Sequence, residues 1–285
     1  MELPRYWAKS SQPYSDQRMG DILVCCWRWS ASSLSDARRD AEHAVRAMVD
    51  RLQAGEWFPS AYDYGAKPLR EELLQELRDR RGEVVSAVTR NYYGAKVLNT
   101  AEVMFADIDK KSSGLGSILG SAFRALFGGK AQKSEHQQLD SVKEWAAQDS
   151  RRSMRIYQTH SGYRLLLTHE KFDPSSEGAV EMLNSFGSDP LYVRLCRSQS
   201  CFRARLSPKH WRIRVSAPPN RFPWENAQEE ARYREWLYRY EQEAQQFAVC
   251  RFLESIGHSV RDDAIAQVVD LHDRDCQVHA EKQLA

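Results

Sequence analysis

Apolar and polar positions along this chain switch period several times, and the switches predict its elements. The stretch DILVCCWRWSAS (21–32), rich in β-branched and aromatic residues, predicts a strand. SLSDARRDAEHAVRAMVDRLQAGE (33–56) has the pattern of an amphipathic helix, with Ser33 or Ser35 as its cap and Gly55 as its stop. YDYGAKPLREELLQELRDRRG (62–82) predicts a turn and a second helix beginning near Pro68. EVVSAVTRN, AKVLNT and EVMFADID (83–109) predict three strands separated by turns at Asn91–Gly94 and near Thr100.

Further along, LDSVKEWAAQDS (139–150) predicts a helix. SMRIYQTHSGYRLLLTHEKF (153–172) predicts a hairpin turning at His160–Gly162. A short helix with Gly187 as its stop follows, then a helix from Asp189 and a strand near Phe202–Leu206. HWRIRVS (210–216) predicts another strand, and 224–257 one long helix ending at Gly257. The tail DDAIAQVVDLHDRDC (262–276) fits a helical turn or a strand. Hairpins and crossovers occur together, so the expected class is α+β with a mostly antiparallel sheet rather than a doubly wound parallel one.

A chain of 285 residues with 42% hydrophobic and 28% charged positions is long enough to bury a substantial core. It has no apolar run of membrane-spanning length, and its start, MELPRYWAKSSQ, lacks an apolar signal core, so the expectation is a cytoplasmic protein with no membrane span. The six cysteines form no C-x-x-C pairs and are expected as reduced thiols; Cys196 and Cys201 lack a second pair that would complete a zinc site. Residues 110–135, KKSSGLGSILGSAFRALFGGKAQKSE, are Gly-, Ser- and Lys-rich around an apolar island. They are expected as a flexible insertion and a possible docking segment for a protein partner, and they contain no P-loop.

Net charge is only +2, yet 190–221 carries eight Lys or Arg residues and no Asp or Glu. Arg203, Arg205, Lys209, Trp211 and Arg212 within it mix cationic and aromatic side chains, a combination suited to phosphates and stacked bases. Asp107 and Asp109 alternate on one face of a strand, and two carboxylates so placed repel each other and favour a hard divalent cation. Ser161 and Gly162 form a polar turn whose amides suit an anion, and Arg164 heads the return strand with a phosphate-binding fork. Arg90 and Lys96 lie just before the acidic strand, where they could reach substrate phosphates. Asp270, His272 and Asp273 are metal-binding residue types in no recognised ligand spacing.

FADID (105–109) followed by a helix and then THSGYRLLLT (159–168) resembles the catalytic core of the archaeo-eukaryotic primase superfamily, with its D-x-D and S-x-H motifs. The resemblance spans roughly residues 84–214. Arg164 stands where the family has histidine, and His160 and His169 are both off that position. The resemblance implies an RRM-like antiparallel sheet in a core over 1–222, followed by a helical extension over 223–285. It implies Mg2+ or Mn2+ held by Asp107 and Asp109, with Asp173 or Asp189 as a third acid. Ser161, Gly162 and Arg164 would contact a nucleotide, and the activity would be templated nucleotidyl transfer with nucleic acid as partner. Two alternatives stay open: a non-catalytic nucleic-acid-binding protein on the same scaffold, and a metal-dependent phosphoesterase. Arginine in the histidine position can bind phosphate but cannot titrate near neutral pH.

Overall fold

The computed structural model describes residues 1, 3–17, 20–56, 70–109 and 135–285. At its N-terminus, β1 (Tyr6–Asp16) and β2 (Gly20–Ser30) form an antiparallel hairpin. Helix α1 (Leu34–Gln53) packs across this hairpin through Ala37, Ala41, Val45 and Val49, a small-residue stripe at i, i+4 spacing. Ser33 caps the helix by accepting from the Asp36 amide at 3.1 Å. The first strand of the hairpin has little sequence signal, since KSSQ interrupts its apolar alternation.

Two four-stranded antiparallel sheets make up the centre of the described residues. One contains β3 (Glu72–Arg78), β4 (Val84–Arg90), β5 (Lys96–Thr100) and β9 (Phe202–Arg205), in that spatial order. The other has the order β11 (Cys250–Ile256), β7 (Met154–Thr159), β8 (Gly162–Leu167), β6 (Phe105–Asp109). Helix α2 (Glu135–Ala147) connects β6 to β7, and β8 inserts between them antiparallel to both. This is a split β-α-β unit. The α+β class expected from the sequence is therefore present. The RRM-like expectation reaches no further than this unit, because the fourth strand joins at the β7 edge from far along the chain.

The second sheet buries both faces. Met104, Ala106, Ile108, Met154, Ile156, Leu165 and Leu167 pack against α2, α3 (Glu177–Ser185) and α4 (Pro190–Gln199). The opposite face presents Phe105, Leu166, Tyr157 and Cys250 to Val88, Leu98 and Ala204 of the first sheet and to α6 (Asp263–Cys276). Helix α5 (Ala227–Ala244) closes a third cluster with Tyr233, Trp236 and Tyr240 around Ile213.

Three expectations are corrected. Residues 72–78 form an edge strand, not a helix: the helix-favouring ELLQELR yields to pairing with β4, and its Glu and Arg side chains suit an exposed, bulged sheet edge. HWRIRVS is not a strand; a 3-10 turn at His210–Ile213 follows Pro208 and ends at Arg214 in a left-handed conformation, φ 59°. The helix expected over 224–257 ends at Ala244, and the strands β10 (Phe247–Ala248) and β11 follow. In β11 Cys250 is buried, Phe252, Glu254 and Ile256 are half-buried, and Arg251, Leu253 and Ser255 are exposed, a period-two alternation that a helix does not give. The stretch 223–285 is accordingly no helical extension, because it supplies a strand of the second sheet and α6 of the shared core. The short β12 (Gln283–Leu284) pairs in parallel with β10. The insertion expected at 110–135 and the helix start expected at Pro68 lie outside the described residues, apart from Glu135 in α2.

A candidate functional site between the two sheets

Register puts the site together. Asp107 on β6 lies directly opposite Arg164 on β8, and Tyr157 on β7 lies opposite Arg164 on the other side. All three side chains belong to the face that meets the first sheet and α6. Arg164 Nε donates to Asp107 Oδ1 at 2.8 Å and Nη2 donates to Oδ2 at 3.0 Å, a bidentate fork. Its Nη1 donates to the Arg205 carbonyl at 3.0 Å and lies 3.4 Å from His272 Nε2. Arg164 is 2% exposed, whereas the Asp107 side chain is 37% exposed at the rim.

Electrostatics follow from this placement. Burial works to raise the Asp107 carboxyl, but the charge and hydrogen bonds of Arg164 hold it below the ordinary carboxylate value. Burial would lower Arg164, and the Asp107 carboxylate instead raises it. Arg205 has no such acid fully to itself. Burial, followed by the nearby guanidinium charges of Arg164 and Arg212, pulls it down to about 10, and its Nε is buried without a hydrogen-bond partner. Arg212 reaches the β7–β8 turn, donating from Nη2 to Ser161 Oγ at 2.8 Å. Three guanidinium groups thus gather about one carboxylate and a serine hydroxyl, an excess of positive charge suited to an anion.

Behind Arg164 lies a second polar group. His272 on α6 contacts Asp273 Oδ1 through Nδ1 at 3.0 Å, and Asp273 also accepts from Tyr157 Oη at 2.7 Å and Arg155 Nη2 at 2.6 Å. Cys250 Sγ lies 3.8 Å from His272 Nε2, and Cys276 Sγ lies 3.6 Å from the Arg205 carbonyl. A hydrogen bond with Cys276 draws the Cys250 thiol down, helped by His272 and Arg164, while burial pushes Cys276 up. Burial would lower His272, but Asp273 and Cys250 raise it.

The other candidate residues scatter into distinct roles. The fork from Arg164 engages both Asp107 oxygens and already neutralises the carboxylate, so Mg2+ or Mn2+ there would meet the charge of a buried guanidinium. Of the expected acid pair only the side chain of Asp107 is described; that of Asp109 lies outside the described ones. Asp173 is exposed and accepts from the Ser175 amide and hydroxyl, and Asp189 caps α4 by accepting from the Leu191 and Tyr192 amides. Neither is needed as a third metal ligand to explain its position. Arg90 is a buried structural residue that donates to the Gly94 carbonyl and to Glu241. Lys96 is half-buried at the start of β5. Arg203 pairs with buried Glu71 at 2.5 Å rather than facing a ligand. Gly162, at φ 152°, opens β8 opposite Asp109.

Trp211 stays exposed, at 48%, and lies edge-on to Tyr93 at 5.2 Å. Tyr93 in turn lies 3.7 Å from Tyr92, measured between ring centroids. Lys209 sits over the Trp211 ring and Arg221 over the Tyr92 ring, each at 5.2 Å. Sequence reasoning missed Tyr92, Tyr93, Cys250 and Cys276 as site residues. One signal was available, since His272 and Cys276 are four apart on one helix and share a face. No helix among the described residues is long and apolar enough to cross a membrane. No family model matches the chain, and neither a curated protein nor a solved structure matches it.

Proposed function

We propose that this chain, whose sequence motifs resemble those of a primase core, binds single-stranded nucleic acid without requiring a divalent cation at Asp107. One observation carries the reading: an aromatic and basic surface at Trp211, Tyr93, Tyr92, Lys209 and Arg221 runs through Arg212 into the arginine cluster at Asp107. Stacking on exposed rings accepts any base, and guanidinium groups neutralise backbone phosphates. Arg205, whose buried Nε lacks a hydrogen-bond partner and which is crowded by like charge, would be stabilised by an incoming phosphate oxygen.

Fluorescence anisotropy with a labelled mixed-sequence oligonucleotide tests this. Binding is expected to weaken steeply with salt, to be unaffected by chelator, and to fall by about tenfold or more in Trp211→Ala. Arg212→Ala is expected to lower both the affinity and the salt slope. Absence of binding at low salt, or wild-type affinity in both variants, refutes the reading. Templated nucleotidyl transfer is supported by the sequence resemblance alone. Magnesium-dependent incorporation that disappears when Asp107 and Asp109 are both changed to alanine would replace the binding reading with that activity.

A further inference from the structure

We infer that Cys250, His272 and Cys276 form a binding site for a thiophilic metal ion, zinc by donor chemistry, that pins β11 to the end of α6. The Sγ atoms of both cysteines and a ring nitrogen of His272 lie within 4.8 Å of one another, and all three residues are fully buried. Around a tetrahedral ion with Zn–S near 2.3 Å and Zn–N near 2.0 Å, ligand atoms sit roughly 3.5–3.8 Å apart. The Cys250 Sγ to His272 Nε2 separation of 3.8 Å already meets that spacing.

Independent support comes from the groups around the cluster. A zinc-ligating histidine usually gives its second ring nitrogen to a carboxylate, which fixes the tautomer and aims the first nitrogen at the metal. His272 does this through Nδ1 to Asp273, which leaves Nε2 on the side of Cys250, 3.8 Å away, where Arg164 Nη1 also lies at 3.4 Å. Asp273 is itself held by Tyr157 and Arg155, so the histidine has a rigid backing. The two ligand-bearing elements are tied by backbone hydrogen bonds from the Val249 amide to the Cys276 carbonyl and from the Phe252 amide to the Val278 carbonyl, each 3.0 Å. Two thiolates would balance the charge of Zn2+, and the Arg164 charge is balanced by Asp107. Three protein ligands leave a fourth position for water or another small ligand. The same residues do not serve as a cysteine nucleophile with a histidine base, because Cys250 and His272 have no exposed surface on which a substrate could arrive.

The full chain, reduced and stripped with chelator, tests the assignment. Zinc added and then cleared of excess by gel filtration should remain at about one ion per chain by elemental analysis. Cobalt in its place should give thiolate-to-metal charge-transfer absorption and intense tetrahedral visible bands. Thermal unfolding should move up by roughly 5 °C on adding zinc. Cys276→Ser and Cys250→Ser should each lower zinc affinity at least about 100-fold, while Cys196→Ser, a buried thiol in the other cluster, retains it. Should a ligand variant fail to fold, the cobalt spectrum of the unchanged chain decides alone. Reduced chain that retains no zinc and gives no charge-transfer band overturns the proposal, and so does a Cys250–Cys276 disulfide in protein purified without oxidant.

Discussion

Replacing Asp107 with alanine separates two accounts of the acidic strand by the sign of a stability change. If Asp107 is an acid awaiting a cation, removing it relieves repulsion with Asp109 and leaves the metal-free protein as stable or more so. The structure argues the reverse. Arg164 is 2% exposed, and Asp107 supplies two of the acceptors its guanidinium uses, leaving the Arg205 carbonyl. Removing one partner of a buried pair costs about 3–5 kcal/mol. The Asp107 side chain is 37% exposed, so water can enter and the loss is smaller, as it is for exposed pairs. We expect Asp107→Ala to destabilise by about 2–3 kcal/mol. Arg164→Met leaves an acid at the rim that water can resolvate, so the double variant Asp107→Ala/Arg164→Met should be destabilised by less than the sum of the single variants, with a coupling of about 1–2 kcal/mol. Urea unfolding read by circular dichroism and tryptophan fluorescence measures all three variants. A neutral or stabilising Asp107→Ala, or strict additivity, refutes the argument.

The same pair sets a pH dependence. The folded carboxyl of Asp107 titrates below its unfolded value, so its contribution is complete above that value, near pH 4, and is lost as pH falls through the folded one. Urea midpoints of wild type and Asp107→Ala should therefore converge on acidification below about pH 4 and stay apart at pH 7. Gly257 adopts φ +81°, and an added Cβ would lie 2.1 Å from the Arg152 carbonyl oxygen, whereas Gly82, at φ +83°, has open space. Gly257→Ala should cost more than about 2 kcal/mol and Gly82→Ala about 1, measured by chemical denaturation. Ser33→Ala removes the cap of α1 and should cost about 1 kcal/mol in the same measurement.

Several elements were legible from local pattern because the physics that forms them is local. The Ser33 cap with its amphipathic repeat, the 153–168 hairpin and the strand carrying Asp107 all appear where period and turn residues put them. Residues 72–78 and 250–256 were not legible in the same way. Each carries helix-compatible composition, and only the availability of an open sheet edge, at β4 for one and β7 for the other, makes it a strand. The 3-10 turn at His210 likewise depends on its packing under α5 around Ile213.

For the site, the sequence alone put Asp107 on one strand and Arg164 at the head of another, and gathered cationic and aromatic residues in 190–221. The tertiary structure decided what they do. Strand register sets Arg164 against Asp107, so the expected cation-seeking acid is neutralised by the residue expected to bind phosphate. Arg205 and Arg212 are brought to the pair by β9 and the turn after it, and Cys250 meets His272 and Cys276 only because β11 and α6 pack behind β7 and β8. The contacts from β6 to Arg205 and from β11 to α6 join residues 98 and 22 or more positions apart in the chain, so no local period encodes them.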